Sequence, residues 1–279
     1  MSVVYDPVRY KQDSMESWTK RAHDYHTGWA GAGRGPFRST TELVRAALIE
    51  NGHTVLDLAC GTGAVSAEAA RYIGASGKLV GLDFARGALK IAKSHVQSGN
   101  FVEMDAEHIG LRGGGFNRVL CQYALMFFPD PKQVLISLKS LLKDDGLIAV
   151  AVHGTAAGVP YFSTIMEPVL KHAPEIRPEG TPTAVRFGNP EDLKGVLASA
   201  GFGNIHIRKF TFDYEAGTFE QYWQDYMSTT ASAVRSKIES LVDLAEIKEK
   251  ARKRAEQFIT MQDGRIDFPW DVLIATATA

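Results

Sequence analysis

The sequence predicts an α/β protein: a doubly wound, seven-stranded Rossmann-like sheet, mostly parallel with an antiparallel edge strand, plus helical insertions. Three observations carry this expectation. Short apolar runs alternate with helical patterns between residues 53 and 154. The first run closes on a glycine turn that opens directly into a helix. The last two strand-like runs are separated by helical sequence alone, which suggests an antiparallel edge.

Residues 1–38 are polar and aromatic and end in GWAGAGRGP (28–36), whose glycines predict a mobile loop. This segment is expected to be an N-terminal arm or lid. Ser39 and Glu42 form a capping-box pattern before TELVRAALIE, which would bury Leu43, Ala47 and Leu48 on one face. HTVLDLA (53–59), bounded by Gly52 and Gly61, is a buried strand, and AVSAEAARYI (64–73) an Ala-rich helix. KLVGLD (78–83) and ARGALKIAKSH (85–95) repeat that unit. NFVEMD (100–105) and FNRVLCQYA (116–124) are the third and fourth strands. Asp130-Pro131 with Gln133 starts a helix that runs to Gly146, ahead of the fifth strand, LIAVAVHG (147–154). Asn189-Pro190 with Asp192 starts another helix; NIHIRKFTF (204–212) and WDVLIATATA (270–279) are the last strands. Two stretches fall outside the alternation. Residues 155–188 are irregular and Pro-rich. Residues 213–264 are helical, with Val234, Ile238, Leu241, Val242 and Ala245, then Ile247, Ala251, Ala255 and Phe258, at helical spacing. The expected organisation is the arm, 1–38, and a domain, 39–279, with cap insertions at 155–188 and 213–264.

Composition narrows the function. Apolar residues make up 45% and charged residues 23% of 279, the mix of a soluble globular protein. A net charge of −1 supplies no global field toward nucleic acid or an acidic membrane. KEKARKR (248–254) is basic, but Glu246, Glu249 and Glu256 interleave with it, the pattern of a solvated helix face. Cys60 and Cys121 both lie in apolar segments and suggest no disulfide framework, which points to a reducing cytoplasm. The N-terminus lacks an apolar h-region, and no run approaches the ~18 apolar residues of a membrane span. A cytoplasmic location, with no nucleic-acid partner and no integral membrane association, is expected.

Doubly wound sheets bind ligands at the carboxyl ends of their strands, where the strand order reverses. The first strand ends in Cys60-Gly61-Thr62-Gly63 and opens into a helix whose N-terminus favours a negative group. The second ends in Asp83, placed to accept hydrogen bonds from ribose hydroxyls. A nucleoside follows. A dinucleotide site wants G-x-G-x-x-G/A, but Ser66 holds the third position, and Asp57 would repel a pyrophosphate above it. An acid beside a helix N-terminus suits a ligand of both signs, with a carboxylate on the helix end and an ammonium served by the acid. S-adenosylmethionine is such a ligand.

VLDLACGTG (55–63), GLD (81–83), MDAE (104–107) and CQYALMFFPD (121–130) form a series that resembles class I S-adenosylmethionine-dependent methyltransferases, in particular the ubiquinone/menaquinone biosynthesis branch. The resemblance covers about residues 40–153 and is looser at WTKRAHDYHTGW (18–29) and DGRIDFPWDVLIATA (263–277). It implies that Asp57 and the backbone of Ala59, Cys60, Gly61 and Gly63 hold the methionine end. Asp83 would take the ribose hydroxyls, Phe84 would pack on adenine, and Asp105 would accept from the adenine amino group beside the Ala106 backbone. The Gln122 carbonyl would lie near the ammonium, and Tyr25 would close over the cofactor. Ala85 and Ala88 stand where such sequences often carry serine and methionine.

The expected reaction is methyl transfer by in-line displacement to a small, apolar or aromatic acceptor, with S-adenosylhomocysteine as product. His153, at the end of the fifth strand, is the first candidate base, Tyr123 another, with His23 and His26 behind them. Phe127, Phe128, Tyr161 and Trp223 are the candidate acceptor pocket. No carboxylate cluster suggests a metal. A monomer or homodimer is expected. A non-methylating S-adenosylmethionine-binding protein of this fold, cyclase-like or regulatory, is the alternative; an NAD(P)-dependent oxidoreductase is more remote.

Overall fold

The computed structural model describes residues 4–31, 33–260 and 263–279. The first three residues of the arm, Ala32 of the glycine cluster, and Met261 and Gln262 of the second insertion lie outside the described residues.

Seven strands form one sheet: β1 (Thr54–Leu58), β2 (Lys78–Asp83), β3 (Gly99–Glu103), β4 (Phe116–Gln122), β5 (Leu142–His153), β6 (Gly203–Gly217) and β7 (Ile266–Thr278). Their order is β3-β2-β1-β4-β5-β7-β6. β1 pairs in parallel with β2 and β4, β2 with β3, and β4 with β5, while β7 runs antiparallel to β5. The order reverses between β1 and β4, so a crevice opens at the carboxyl end of β1. Both central strands are mainly apolar and buried, as a sheet covered on both faces requires. Val55, Leu56, Leu58, Val119, Leu120 and Cys121 are all buried. The helices, in chain order, are α1 (Pro7–Tyr25), α2 (Thr40–Ala46), α3 (Ala64–Ile73), α4 (Arg86–His95), α5 (Pro131–Leu141), α6 (Pro160–His172), α7 (Pro190–Ser199), α8 (Phe219–Asp225), α9 (Arg235–Leu241) and α10 (Leu244–Ala255). Among the described residues, no helix is long and apolar enough to cross a membrane.

The chain divides into two compact units. The sheet unit comprises 18–153, 182–210 and 272–279; the insert unit comprises residues up to 17, 154–181 and 211–271. In the sheet unit, the second half of α1 lies on α4. Ala22 packs with Ala85 and Ala88, and Trp18, Phe84 and Ile91 close around them. Gly87 makes this approach possible: a Cβ there would lie 2.2 Å from the Thr19 carbonyl oxygen. The small residues at 85, 87 and 88 therefore form the seat of the arm. In the insert unit, the buried Tyr161 ring meets Tyr222, Tyr226, Phe268 and Trp270 at 5.1–5.7 Å between centroids. The Tyr222 hydroxyl donates to the Tyr161 carbonyl at 2.6 Å. The basic stretch of α10 is paired within the unit, Lys248 and Arg252 with Glu220, and Lys250 with Glu246.

Several local expectations are corrected. Ser39 precedes α2 but caps nothing; its hydroxyl donates to the Pro36 carbonyl and lies 2.7 Å from the Tyr123 hydroxyl. Tertiary partners have outcompeted the capping box. Leu43 and Ala47 are buried, but α2 ends before Leu48, which turns left-handed (φ 49°) and is 63% exposed. α5 stops at Leu141, not Gly146, because Leu142 already pairs with Phe116 of β4. The Pro-rich stretch contains α6, with Pro168 inside it. The buried face Tyr161, Ile165, Pro168 and Val169 keeps helical spacing and overrides the missing N–H. Within GWAGAGRGP, Gly28–Ala30 end a π-helical segment, His26–Ala30, and Gly35 and Pro36 begin a 3₁₀ segment, Gly35–Ser39, with Trp29, Ala30, Gly35 and Pro36 buried. Residues 213–217 continue β6, and Asp243 caps a fresh helix, so the repeat at 234–245 is broken and only its Ile238 is buried.

Gly87→Ala should cost about 1–3 kcal/mol by overpacking and lift residues 18–25 off α4. Thermal unfolding and faster tryptic cleavage after Lys20 and Arg21 would record it; an unchanged digest would show that the helix is not seated there.

Candidate cofactor and active site

The parallel strands β1, β2, β4 and β5 deliver their carboxyl ends to one edge of the sheet unit, and the residues of interest sit there. After β1 the backbone makes an unusually left-handed turn, with φ of 51° at Ala59, 54° at Gly61 and 88° at Gly63. Glycine adopts such angles freely; alanine does so at a cost, and strain of this kind gathers at ligand sites. The Cys60 N–H donates to the Leu82 carbonyl at 2.9 Å, which docks the turn on β2. A Cβ on Gly61 would meet nothing within 4 Å, so there is open space above the turn. Gly63 ends the turn and starts α3.

Two carboxylates support this turn from inside. Asp57 is 1% exposed, and its carboxylate accepts the Ser66 hydroxyl at 2.6 Å. Burial pushes its pKa up to about 7, against the pull of the Ser66 hydrogen bonds, and Asp83 adds like-charge repulsion. Asp83 is also buried; one oxygen accepts the Gly61 N–H and the other the Ala85 N–H, each at 2.8 Å. Burial raises its pKa too, and the backbone donors oppose that shift. Ser66, which breaks the dinucleotide pattern, is thus the partner that Asp57 required. Cys60 and Cys121 remain thiols, since burial raises both, Cys121 to about 12.

A second cluster sits at the ends of β4 and β5. The Gln122 amide donates to the Ser39 hydroxyl at 3.1 Å and its oxygen accepts from Thr40 at 3.0 Å. Tyr123 follows in a left-handed conformation (φ 55°), and its hydroxyl lies 2.9 Å from the Pro36 carbonyl. Its ring stacks on His153, with centroids 4.2 Å apart at 15°. Burial lowers the His153 pKa to about 3, which leaves a neutral, weakly basic ring at physiological pH. Burial holds the Tyr123 and Tyr25 hydroxyls protonated. Tyr25 packs edge-on against Trp18 and Phe37, and Phe37 against Tyr123.

The remaining expected residues are distributed as follows. Phe84 is half-buried against the Ala22, Ala85 and Ala88 cluster. Asp105 follows β3, where its carboxylate accepts the Glu107 N–H and lies 3.0 Å from His108 Nδ1; Ala106 is buried. Phe127 and Phe128 are half-buried in the turn after β4, and Arg186 donates to the Phe128 carbonyl. Tyr161 and Trp223 belong to the insert unit, the first buried in its ring cluster and the second half-buried beside Phe219. Ser39, Thr40 and Ser66 were not expected at the site; His26, expected only as a candidate base, instead meets the Thr62 side chain, its Nδ1 3.0 Å from that hydroxyl. Ser66 was detectable as a hydroxyl one turn into the helix after a buried acid. The others depend on tertiary contacts that no local pattern encodes.

A buried carboxylate whose strongest charged neighbour is another carboxylate favours a cationic ligand. With an open turn above it and a helix N-terminus beside it, the donor set fits a zwitterionic tail next to a ribose, and therefore S-adenosylmethionine. Comparison with known proteins agrees. Residues 49–182 match the family model described as "Methyltransferase domain". The demethylmenaquinone methyltransferase of Oceanobacillus iheyensis is 24% identical over 75% of this chain and 89% of its own. The ubiquinone biosynthesis O-methyltransferase of Paraburkholderia phymatum is 30% identical over 58% of this chain and 69% of its own. The solved structure of the [4+2]-cyclase SpnF is similar in fold, with a TM-score of 0.60 at 16% identity over 99% of this chain and 98% of that one. The chain belongs to the methyltransferase domain family and is an S-adenosylmethionine-dependent methyltransferase.

The raised Asp57 pKa has a consequence for unliganded stability. The unfolded chain releases this proton near pH ~4, but the folded one releases it only near pH 7. The unfolded state therefore binds fewer protons between those values, and stability falls as pH rises through that window. Urea unfolding at stepped pH should show the decline, and Asp57→Asn should flatten it. Parallel profiles for the two proteins would contradict the assignment.

Proposed function

We propose that the enzyme methylates a small apolar or aromatic acceptor by in-line displacement, and that a quinone-type ring or phenol is the acceptor class. The observation that carries the cofactor half is the pair of buried carboxylates around the open glycine turn. For the acceptor half, support comes from relatives named for menaquinone and ubiquinone biosynthesis and from the half-buried Phe127 and Phe128 beside the β4 turn.

When bound, the cofactor supplies a methyl group activated on a sulfonium. The protein's part is to hold, orient and exclude water. Asp57 takes the ammonium, directly or through water, while the N-terminus of α3 and the backbone of Ala59, Cys60, Gly61 and Gly63 take the carboxylate. Asp83 keeps lone pairs for the ribose hydroxyls. Phe84 packs on the adenine, Asp105 accepts from its amino group beside Ala106, and Tyr25 covers it. The Gln122 carbonyl faces the ammonium. Alignment of this kind supplies ~7–11 kcal/mol of barrier lowering. His153 is neutral but weakly basic, and Tyr123 keeps its proton. An acceptor that ionises readily by itself, or needs no deprotonation, suits such groups.

Asp83→Ala removes an acceptor of charge-assisted hydrogen bonds and should weaken S-adenosylhomocysteine roughly 100-fold, read by titration calorimetry. Incubation of the wild type with S-adenosylmethionine and a panel of hydroquinones and phenols should yield S-adenosylhomocysteine above the acceptor-free rate. Tight binding with no turnover on any of them would point to another acceptor class or to the non-methylating alternative.

A further inference from the structure

We propose that His26 is a positioning residue for the cofactor, acting through Thr62 at the crest of the glycine turn. The inference rests on the reading that this turn holds the methionine end.

Thr62 is the single side chain between two left-handed glycines, and it is buried. Glycine loses more backbone freedom on ordering than any other residue. A turn built on two of them holds its shape only if something outside the turn fixes it. Gly61 N–H does part of this by donating to Asp83. The Cys60 N–H adds a second tie, to the Leu82 carbonyl, and the Thr62 hydroxyl, 3.0 Å from His26 Nδ1, is the one made by a side chain of the turn. Fixing the turn before the ligand arrives lowers the ordering cost of binding.

His26 is itself held from several sides. Its ring lies against His95, the last residue of α4, with centroids 5.1 Å apart. On another side sits Gly31, whose N–H donates to the His26 carbonyl at 2.7 Å. A Cβ at Gly31 would lie 2.6 Å from His26 Nε2, so only glycine leaves the ring this place. The chain on either side of His26 is anchored as well. Toward the N-terminus, Thr19 rests on Gly87; toward the C-terminus, Pro36 and Ser39 are bonded to Tyr123. Between these anchors, the His26–Thr62 bond joins the arm to the turn. The sequence offers His26 only as a spare base candidate; the geometry gives it a different task.

The test is a double-mutant cycle read as affinity for S-adenosylhomocysteine by titration calorimetry. His26→Ala and Thr62→Val should each weaken binding about tenfold, and the double variant should be no weaker than the weaker single by more than about twofold. Gly31→Ala should reproduce the loss, because it displaces the ring without removing it. The proposal is overturned if His26→Ala binds within twofold of wild type, or if the double variant shows the product of the single losses. Independent action of the two residues predicts that product. If one single variant fails to fold, as thermal unfolding would reveal, Gly31→Ala and the other single decide by the same thresholds. Wild-type protein that does not bind S-adenosylhomocysteine would refute the cofactor assignment itself, a separate outcome.

Discussion

Two carboxylates of like charge share the interior of this protein, and the local structure is arranged around keeping them there. Asp57, next to last in β1, and Asp83, last in β2, lie at the carboxyl ends of adjacent parallel strands, beside the point where the sheet order reverses. An unpaired buried charge is costly, so each acid needs donors. Asp83 finds two backbone N–H groups, which fixes the turn after β1 and the entry to α4 in one step. Asp57 finds Ser66 in the first turn of α3. Neither acid meets a compensating cation in these contacts. A ligand with positive charge and ribose hydroxyls completes the set, and the reason for the site is the same as the reason for the turn.

The arm belongs to this arrangement. From Trp18 to Thr40 the chain touches, in order, the start of α4, the glycine turn, and the ends of β4 and β5 through Tyr123. Each contact depends on a small or polar residue placed for it: Gly87 under Thr19, Thr62 under His26, Ser39 against Tyr123. Ala85 and Ala88 look like harmless departures in sequence; in the fold they are the surface on which Ala22 and Trp18 rest.

How legible all this was depends on how local the cause is. The alternation of strands and helices was readable because buried parallel strands are mainly apolar. The Asp130 and Asn189 caps were readable because a cap bonds within three residues: Asp130 accepts the Gln133 N–H as expected, and Asn189 accepts the Glu191 N–H. The acids of the turn stood out because a carboxylate in an apolar strand demands an explanation. Ser39 was misread because it has two possible partners and the distant one, Tyr123, wins. Leu48 was misread because one residue in a left-handed conformation turns an expected core side chain into solvent. α6 was hidden by Pro168, whose effect on the helix is outweighed by the buried face around Tyr161 and Ile165. The acceptor residues were least legible, since aromatic side chains at helical spacing serve core and pocket equally; Tyr161 lies deep in a ring cluster.

A crystal structure of the complex with S-adenosylhomocysteine tests the central claim most directly. The account predicts the ribose hydroxyls on Asp83, the amino group beside Asp57 and the Gln122 carbonyl, and the adenine between Phe84 and Asp105. Ligand density elsewhere, or a bound ligand that leaves Asp57 and Asp83 without a polar contact, would contradict it.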